Sequence, residues 1–168
     1  SLISSDVRAH SEATSRSRSK PFRIEAYDVA HIGGRYTVGV MVVLEDGIPH
    51  KAAYRKFKIR IDPDKSDDNL HLEEILQRRF LHTEWIPPDL IVIDGSTAQK
   101  RRAEKVMKEF VKSYDIVSVV KDARHKPKAI LGNREIVESY KRWILLANAE
   151  SHRFAVYYHR QLREKLPK

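Results

Sequence analysis

Four short runs place ionisable side chains where they could hydrolyse a phosphodiester. Asp28 lies in FRIEAYDVAH, Asp67 and Asp68 open SDDNLHLEEILQRRF, Asp94 closes LIVID before Gly95, and His152 sits in AESHRFAVYYH. Carboxylates at strand ends and helix starts are suitable donors for a hard divalent cation, which takes oxygen ligands. Such a cation lowers the pKa of bound water and stabilises charge developing on a phosphate. The chain carries a net charge of +9, so an acidic cluster inside it reads as a cation site that works on a polyanion. The expectation is a metal-dependent nuclease.

Each position also has a plainer use. Asp28 follows Ile24 and Ala26 at period two, so the three share one strand face. A carboxylate there is costly unless neutralised, and a buried pair with an arginine would serve as well as a cation. Asp94-Gly95 could simply be a strand-terminating turn. If the strands bearing Asp28 and Asp94 are neighbours, one cation between them neutralises both. Of Asp67 and Asp68, one can cap the following helix, a contact of about 1 kcal/mol, and the other can point to the metal. His152 could be an acid, a base, a neutral-nitrogen ligand or a packing residue, and His159, seven residues on, shares its helix face. Lys121, Arg124, His125 and Lys126 lie in a polar loop suited to phosphate contacts or to plain solvation.

The elements that must position these groups follow from periodicity. Residues 1–20 contain seven serines and little apolar periodicity, which predicts a flexible linker, with an ordered domain over 21–168. An apolar run at 22–30, a Gly33-Gly34 turn, a strand at 36–45, an Asp46-Gly47 turn and a strand at about 50–60 predict three antiparallel strands. Leu70, Ile75, Leu76 and Phe80 mark one face of a helix starting at Asp67. Residues 89–94 (DLIVID) have the unbroken apolar character of a buried parallel strand. A charged helix at 96–112, a strand at 115–120, a basic loop and a long helix from about Lys141 to Lys165 complete the chain. The expected fold is α/β, a mixed five-stranded sheet with helices on its faces.

Composition narrows the function classes. The 168 residues suffice for one domain with a core, and the absence of cysteine excludes disulfides, thiolate zinc sites and cysteine nucleophiles. No stretch approaches the roughly 18 apolar residues of a membrane helix and no secretory signal opens the sequence, so the expectation is a cytoplasmic protein without membrane contact. Residue 1 is serine, which suggests a piece of a longer protein. Residues 1–97 carry a net charge of −1 and residues 98–168 a net charge of +10, a basic second half that suits phosphate-backbone binding around a cation site or is a plain solvated surface.

The runs RIEAYDVAHIGGRYTVGVMVVLEDG, SDDNLHLEEILQRRF, PDLIVIDGS, VVKDARHKP and SHRFAVYYHRQLR together resemble the C-terminal endonuclease domain of the UvrC excinuclease family, in the family's order and over nearly all of 21–168. The resemblance implies a ribonuclease-H-like fold and the 5′ incision beside damage in nucleotide excision repair. It implies Asp28, Asp68, Asp94 and His152 as catalytic and metal-binding residues for Mg²⁺ or Mn²⁺, with Asp67 left as the helix cap. It places Lys121, Arg124, His125, Lys126 and Arg153 against nucleic acid, and it implies damaged double-stranded DNA and UvrB as partners.

Ser96 stands where the family usually has a second glycine, and Asn148, Ala149 and Ser151 replace its usual arginine–aspartate pair and alanine. An altered backbone after Asp94 and a lost salt bridge near His152 are the expected consequences. The family's other domains and its helix-hairpin-helix motifs have no counterpart here, so the expectation is an isolated, monomeric catalytic domain with weak activity alone. The competing readings are a catalytically silent DNA-binding module and another nuclease of the same fold, such as a junction resolvase or a deaminated-base endonuclease.

Overall fold

Strand β1 (Arg23–Ile32) carries two different faces at period two, and the rest of the molecule is arranged around it. In the computed structural model, which describes residues 20–32, 36–60, 67–110 and 112–165, β1 pairs antiparallel with β2 (Tyr36–Glu45), from Arg23 opposite Glu45 to Ile32 opposite Tyr36. On its other edge β1 runs parallel to β5 (Leu90–Asp94). Strand β6 (Asp115–Lys121) is parallel to β5, and β7 (Pro127–Leu131) closes that side antiparallel. The short strands β3 (Ile48–Pro49) and β4 (Arg55–Lys58) both pair with β2 on its outer edge. This is the mixed α/β, ribonuclease-H-like order expected above, in a seven-stranded sheet.

Three helices cover the two faces. Helix α1 (Asp68–Leu81) and helix α2 (Thr97–Met107) pack on one, where Tyr27, Met41, Val43, Ile91 and Ile93 meet Leu72, Ile75, Leu76, Ala103 and Val106. Helix α3 (Arg134–Lys165) packs on the other, with Ile144 and Ala147 against Ile24, Ala26, Val42, Leu44, Val92 and Val117. Odd-numbered residues of β1 therefore face α1 and even-numbered ones face α3. Among the described residues no helix is long and apolar enough to cross a membrane.

The expectations need correction in three places. The expected third strand at about 50–60 is broken: Pro49 offers no amide to the ladder, a 3₁₀ turn occupies Lys51–Ala53, and pairing resumes only at Arg55. The basic loop contains an extra strand, β7, whose leading proline is tolerated because β7 is a sheet edge. The last helix begins at Arg134 rather than Lys141, because the Asn133 side chain accepts the Ile136 amide at 3.1 Å and caps it. The Asp46-Gly47 turn is as expected, with both residues at positive φ (49° and 78°), the backbone of a two-residue hairpin turn. The predicted Gly33-Gly34 turn and the linker over residues 1–19 lie outside the described residues.

Beneath β1 lies a buried ionic network. The Arg79 guanidinium of α1 grips Glu25 bidentately, Nε to Oε1 and Nη2 to Oε2, each at 2.7 Å. Arg23 Nε reaches Glu25 Oε2 at 3.1 Å, and the Tyr27 hydroxyl donates to Oε1 at 2.5 Å. Burial and the adjacent Glu25 charge push the Tyr27 phenol well above its ordinary pKa, so it remains a donor. Arg79 also donates to the Ile86 carbonyl and lies over the rings of Phe80 and Trp85. Removing one partner of such a pair strands a buried charge, so Arg79→Met should cost about 3–5 kcal/mol in urea unfolding. A loss below about 1 kcal/mol would show that the pair does not hold α1 to the sheet.

Candidate active site

Sheet register brings the first two carboxylates together. Ile24 pairs with Leu90 and Ala26 with Val92, so the next step along both strands sets Asp28 beside Asp94. Asp94 in turn pairs with Val119 of β6, and Lys121 follows two residues later on the same face. The Lys121 ammonium donates to Asp94 Oδ2 at 2.7 Å. Helix α3 crosses this face and brings His152 Nδ1 to 3.3 Å from Asp28 Oδ2. The three strand residues extend the same row that, further down, buries Ala26, Val92 and Val119 under Ile144 and Ala147. The polar site is thus the open end of an apolar layer.

Asp68 reaches the site from the opposite face. It is the first residue of α1, and the Asp67 side chain caps that helix by accepting the Leu70 amide at 3.1 Å. Asp67 therefore has the capping role and Asp68 is left to project. A cleft of about 460 Å³ is lined by Asp28, Asp68, Asp94 and His152, with Gln99, Lys121 and His125 also on its wall. The expected acidic positions and His152 share one depression. They do not form one tight group: His31 Nε2 holds Asp68 Oδ1 at 2.6 Å, while Lys121 and His152 attend Asp94 and Asp28.

The electrostatics suit the site to a cation. Burial raises the pKa of the Asp28 carboxyl and the nearby Asp94 charge adds to the rise, against the Val29 amide and His152, which lower it. The Val29 amide donates to Asp28 Oδ1 at 2.9 Å, which fixes the rotamer. Two adjacent carboxylates offer hard oxygen donors, and that donor set fits a divalent ion of the Mg²⁺ or Mn²⁺ class.

The basic residues divide by commitment. The turn joining β6 to β7 is held by Asp122, whose Oδ1 accepts the amides of Arg124 (2.8 Å) and Lys126 (3.1 Å). This leaves the Arg124 and Lys126 side chains exposed, while His125, at φ 62°, turns into the cleft. Arg153 is already paired with Glu150 at 2.6 Å, and Glu150 also accepts the Tyr54 hydroxyl, so the arginine's charge is largely spent within the protein. His159 does not join the site; its Nε2 contacts the His31 carbonyl at 3.0 Å and ties α3 to the end of β1.

The departures noted in the sequence have structural consequences. Ser96 is the N-cap of α2, and Gln99 reaches back to accept its amide at 2.8 Å. Gly95, at φ 145°, keeps the conformational freedom that the turn after Asp94 needs. Asn148 and Ser151 are buried where α3 meets the sheet, and the Ser151 hydroxyl donates to the Asn148 carbonyl at 2.8 Å. His31, His71, Gln99 and the Glu25–Arg79 pair were not among the residues expected from the sequence. Asp68 and His71 are three apart on one helix, which places them on the same face and is a usable signal.

A family model described as the UvrC RNAse H endonuclease domain matches residues 12–163. UvrABC system protein C of Thermotoga petrophila is 36% identical over 149 residues, covering 86% of this chain and 26% of that protein. The protein of the same name from Clostridium acetobutylicum is 37% identical over 168 residues, covering 86% of this chain and 27% of its own length. The chain thus spans about a quarter of the length of the curated relatives it matches. Among solved structures, Ciona intestinalis Endonuclease V in complex with an inosine-containing DNA aligns with a TM-score of 0.43 at 17% identity, over 74% of this chain and 56% of that one.

The raised Asp28 pKa has a definite sign. The folded state holds the Asp28 proton more tightly than the unfolded chain, so stability falls as pH rises from the ordinary carboxylate range through the raised value, and stays lower above it. Asp28→Asn should therefore melt a few degrees higher than the parent at neutral pH, with the gap closing on acidification. An Asn variant that melts lower at pH 7 would remove Asp28 as a source of electrostatic strain.

Proposed function

Because the chain belongs to the UvrC RNase H endonuclease domain family, we propose that it hydrolyses DNA phosphodiester bonds with a divalent metal ion, as the domain that makes the 5′ incision in nucleotide excision repair. The observation that carries this reading is the parallel register that sets Asp28 beside Asp94 at the mouth of a cleft also lined by Asp68, Lys121 and His152. Asp28, Asp94 and Asp68 would hold Mg²⁺ or Mn²⁺, with His152 at the edge of the set. Such an ion, when bound, supplies a hydroxide-like water at neutral pH and charge stabilisation at phosphorus.

The chain's own groups supply the rest. Lys121, at the lip of the cleft, can release Asp94 to a cation and turn its ammonium to a non-bridging phosphate oxygen. His152 is exposed and touches Asp28, so it can orient that carboxylate and pass a proton to the departing sugar oxygen. His125 and the exposed Arg124 and Lys126 contact the phosphodiester backbone beside the cut. Arg153, neutralised by Glu150, contributes less. The proposed partners are damaged double-stranded DNA and, through the longer protein, UvrB, in the cytoplasm.

Incubating supercoiled plasmid with the protein and Mn²⁺ should give nicked circles, and Asp28→Asn or Asp94→Asn should slow nicking by at least about 10²-fold with the fold intact. DNA binding without any nicking by the parent protein would instead identify a silent binding module. Replacing Arg124 and Lys126 together by alanine should lower the slope of log affinity against log salt by about 2. An unchanged slope would take the β6–β7 turn out of the DNA-binding surface.

A further inference from the structure

Beside the carboxylate pair is a group of different chemistry. One ring nitrogen each from His31 and His71 and a carboxylate oxygen of Asp68 all lie within 4.8 Å of one another. His71 is fully buried, His31 half-buried and Asp68 exposed, so the group opens to solvent at Asp68 and His31 and is closed behind His71. Its position follows from two periods: His31 is an odd-numbered β1 residue facing α1, and His71 lies one helical turn after Asp68.

The surroundings are built as ligand support. Thr37 Oγ1 lies 3.0 Å from His31 Nδ1, so it can accept the Nδ1 proton when an ion takes the place of the proton between Nε2 and Asp68. The His31 backbone is fixed by His159 through its carbonyl. His71 stands beside His31, with ring centroids 5.5 Å apart. Two imidazoles and one carboxylate make a nitrogen-rich donor set, which favours Zn²⁺ and its neighbours over Mg²⁺. Tetrahedral bonds of about 2.0–2.1 Å put ligand atoms roughly 3.4 Å apart, within reach of side-chain adjustment from the present spacing.

We propose that His31, Asp68 and His71 form a second metal site, selective for a nitrogen-preferring divalent ion of the Zn²⁺ class, which withdraws Asp68 from the hydrolytic centre. The ion displaces the proton shared by His31 and Asp68, which passes to solvent. Asp68 belongs to both groups, so occupation of this site opposes cleavage; that consequence rests on the nuclease reading, whereas binding does not.

Calorimetric titration of the protein with Zn²⁺ should give one tight site. His71→Gln and His31→Gln should each weaken it by about tenfold or more, and Asp28→Asn should leave it in place. His31→Gln alters a half-buried position, so it keeps the test valid if His71→Gln fails to fold. In Mn²⁺-supported plasmid nicking, low Zn²⁺ should inhibit the parent and spare His71→Gln. Zn²⁺ affinity that survives both histidine changes, or that disappears in Asp28→Asn alone, overturns the proposal. A protein that binds Zn²⁺ through these histidines yet never nicks DNA keeps this site and rejects the nuclease reading.

Discussion

The bidentate grip of Arg79 on Glu25 is the contact from which the geometry of the cleft follows. It crosses from helix α1 to the central strand at a fully buried position, so the helix cannot slide along β1 without stranding a charge. Asp68 begins that same helix, and its distance from the sheet is therefore set from the helix's far end. Arg23, Tyr27 and the Ile86 carbonyl complete the network, so the polar atoms around Glu25 and Arg79 are matched inside the protein.

Asp28, three residues along the same strand, is treated differently. The pleat turns it to the other face, where no arginine among the described residues pairs with it and where the parallel neighbour adds a second negative charge at Asp94. Lys121 and His152 each offset part of that charge without enclosing it. One carboxylate on β1 is permanently neutralised to hold the fold; the other is left with unmet demand at the end of an apolar layer. Unmet demand of this kind is typical of sites that bind an ion during work and accept some instability without it.

The region between α1 and β1 combines both behaviours. Asp67 is used up as a helix cap, Asp68 is held by His31, and His71 stands just behind. A carboxylate with two possible sets of partners is a natural control point, since under the two proposals above moving it by a few ångströms would change which ion is held. The positive charge of the second half of the chain reaches the cleft through Lys121 and the β6–β7 turn.

Much of this was legible in residue order alone. Period-two runs and unbroken apolar stretches defined β1, β2, β5 and β6, and local patterns identified Asp28, Asp94 and the Asp67–Asp68 pair, because strand and helix periodicity are properties of neighbouring residues. Strand β7 and the start of α3 were hidden, since an edge strand needs little apolar patterning and Asn133 is an inconspicuous cap. Partnerships across the fold were beyond reach for a different reason. That Glu25 rather than Asp28 takes the buried arginine, that Lys121 contacts Asp94, and that His31 and His71 converge on Asp68 depend on sheet register and helix docking between residues far apart in the chain. The sequence determined which groups are available and which local element carries each; tertiary packing alone decided which of them meet, because burial forces every charge to find a partner among whatever the topology brings near.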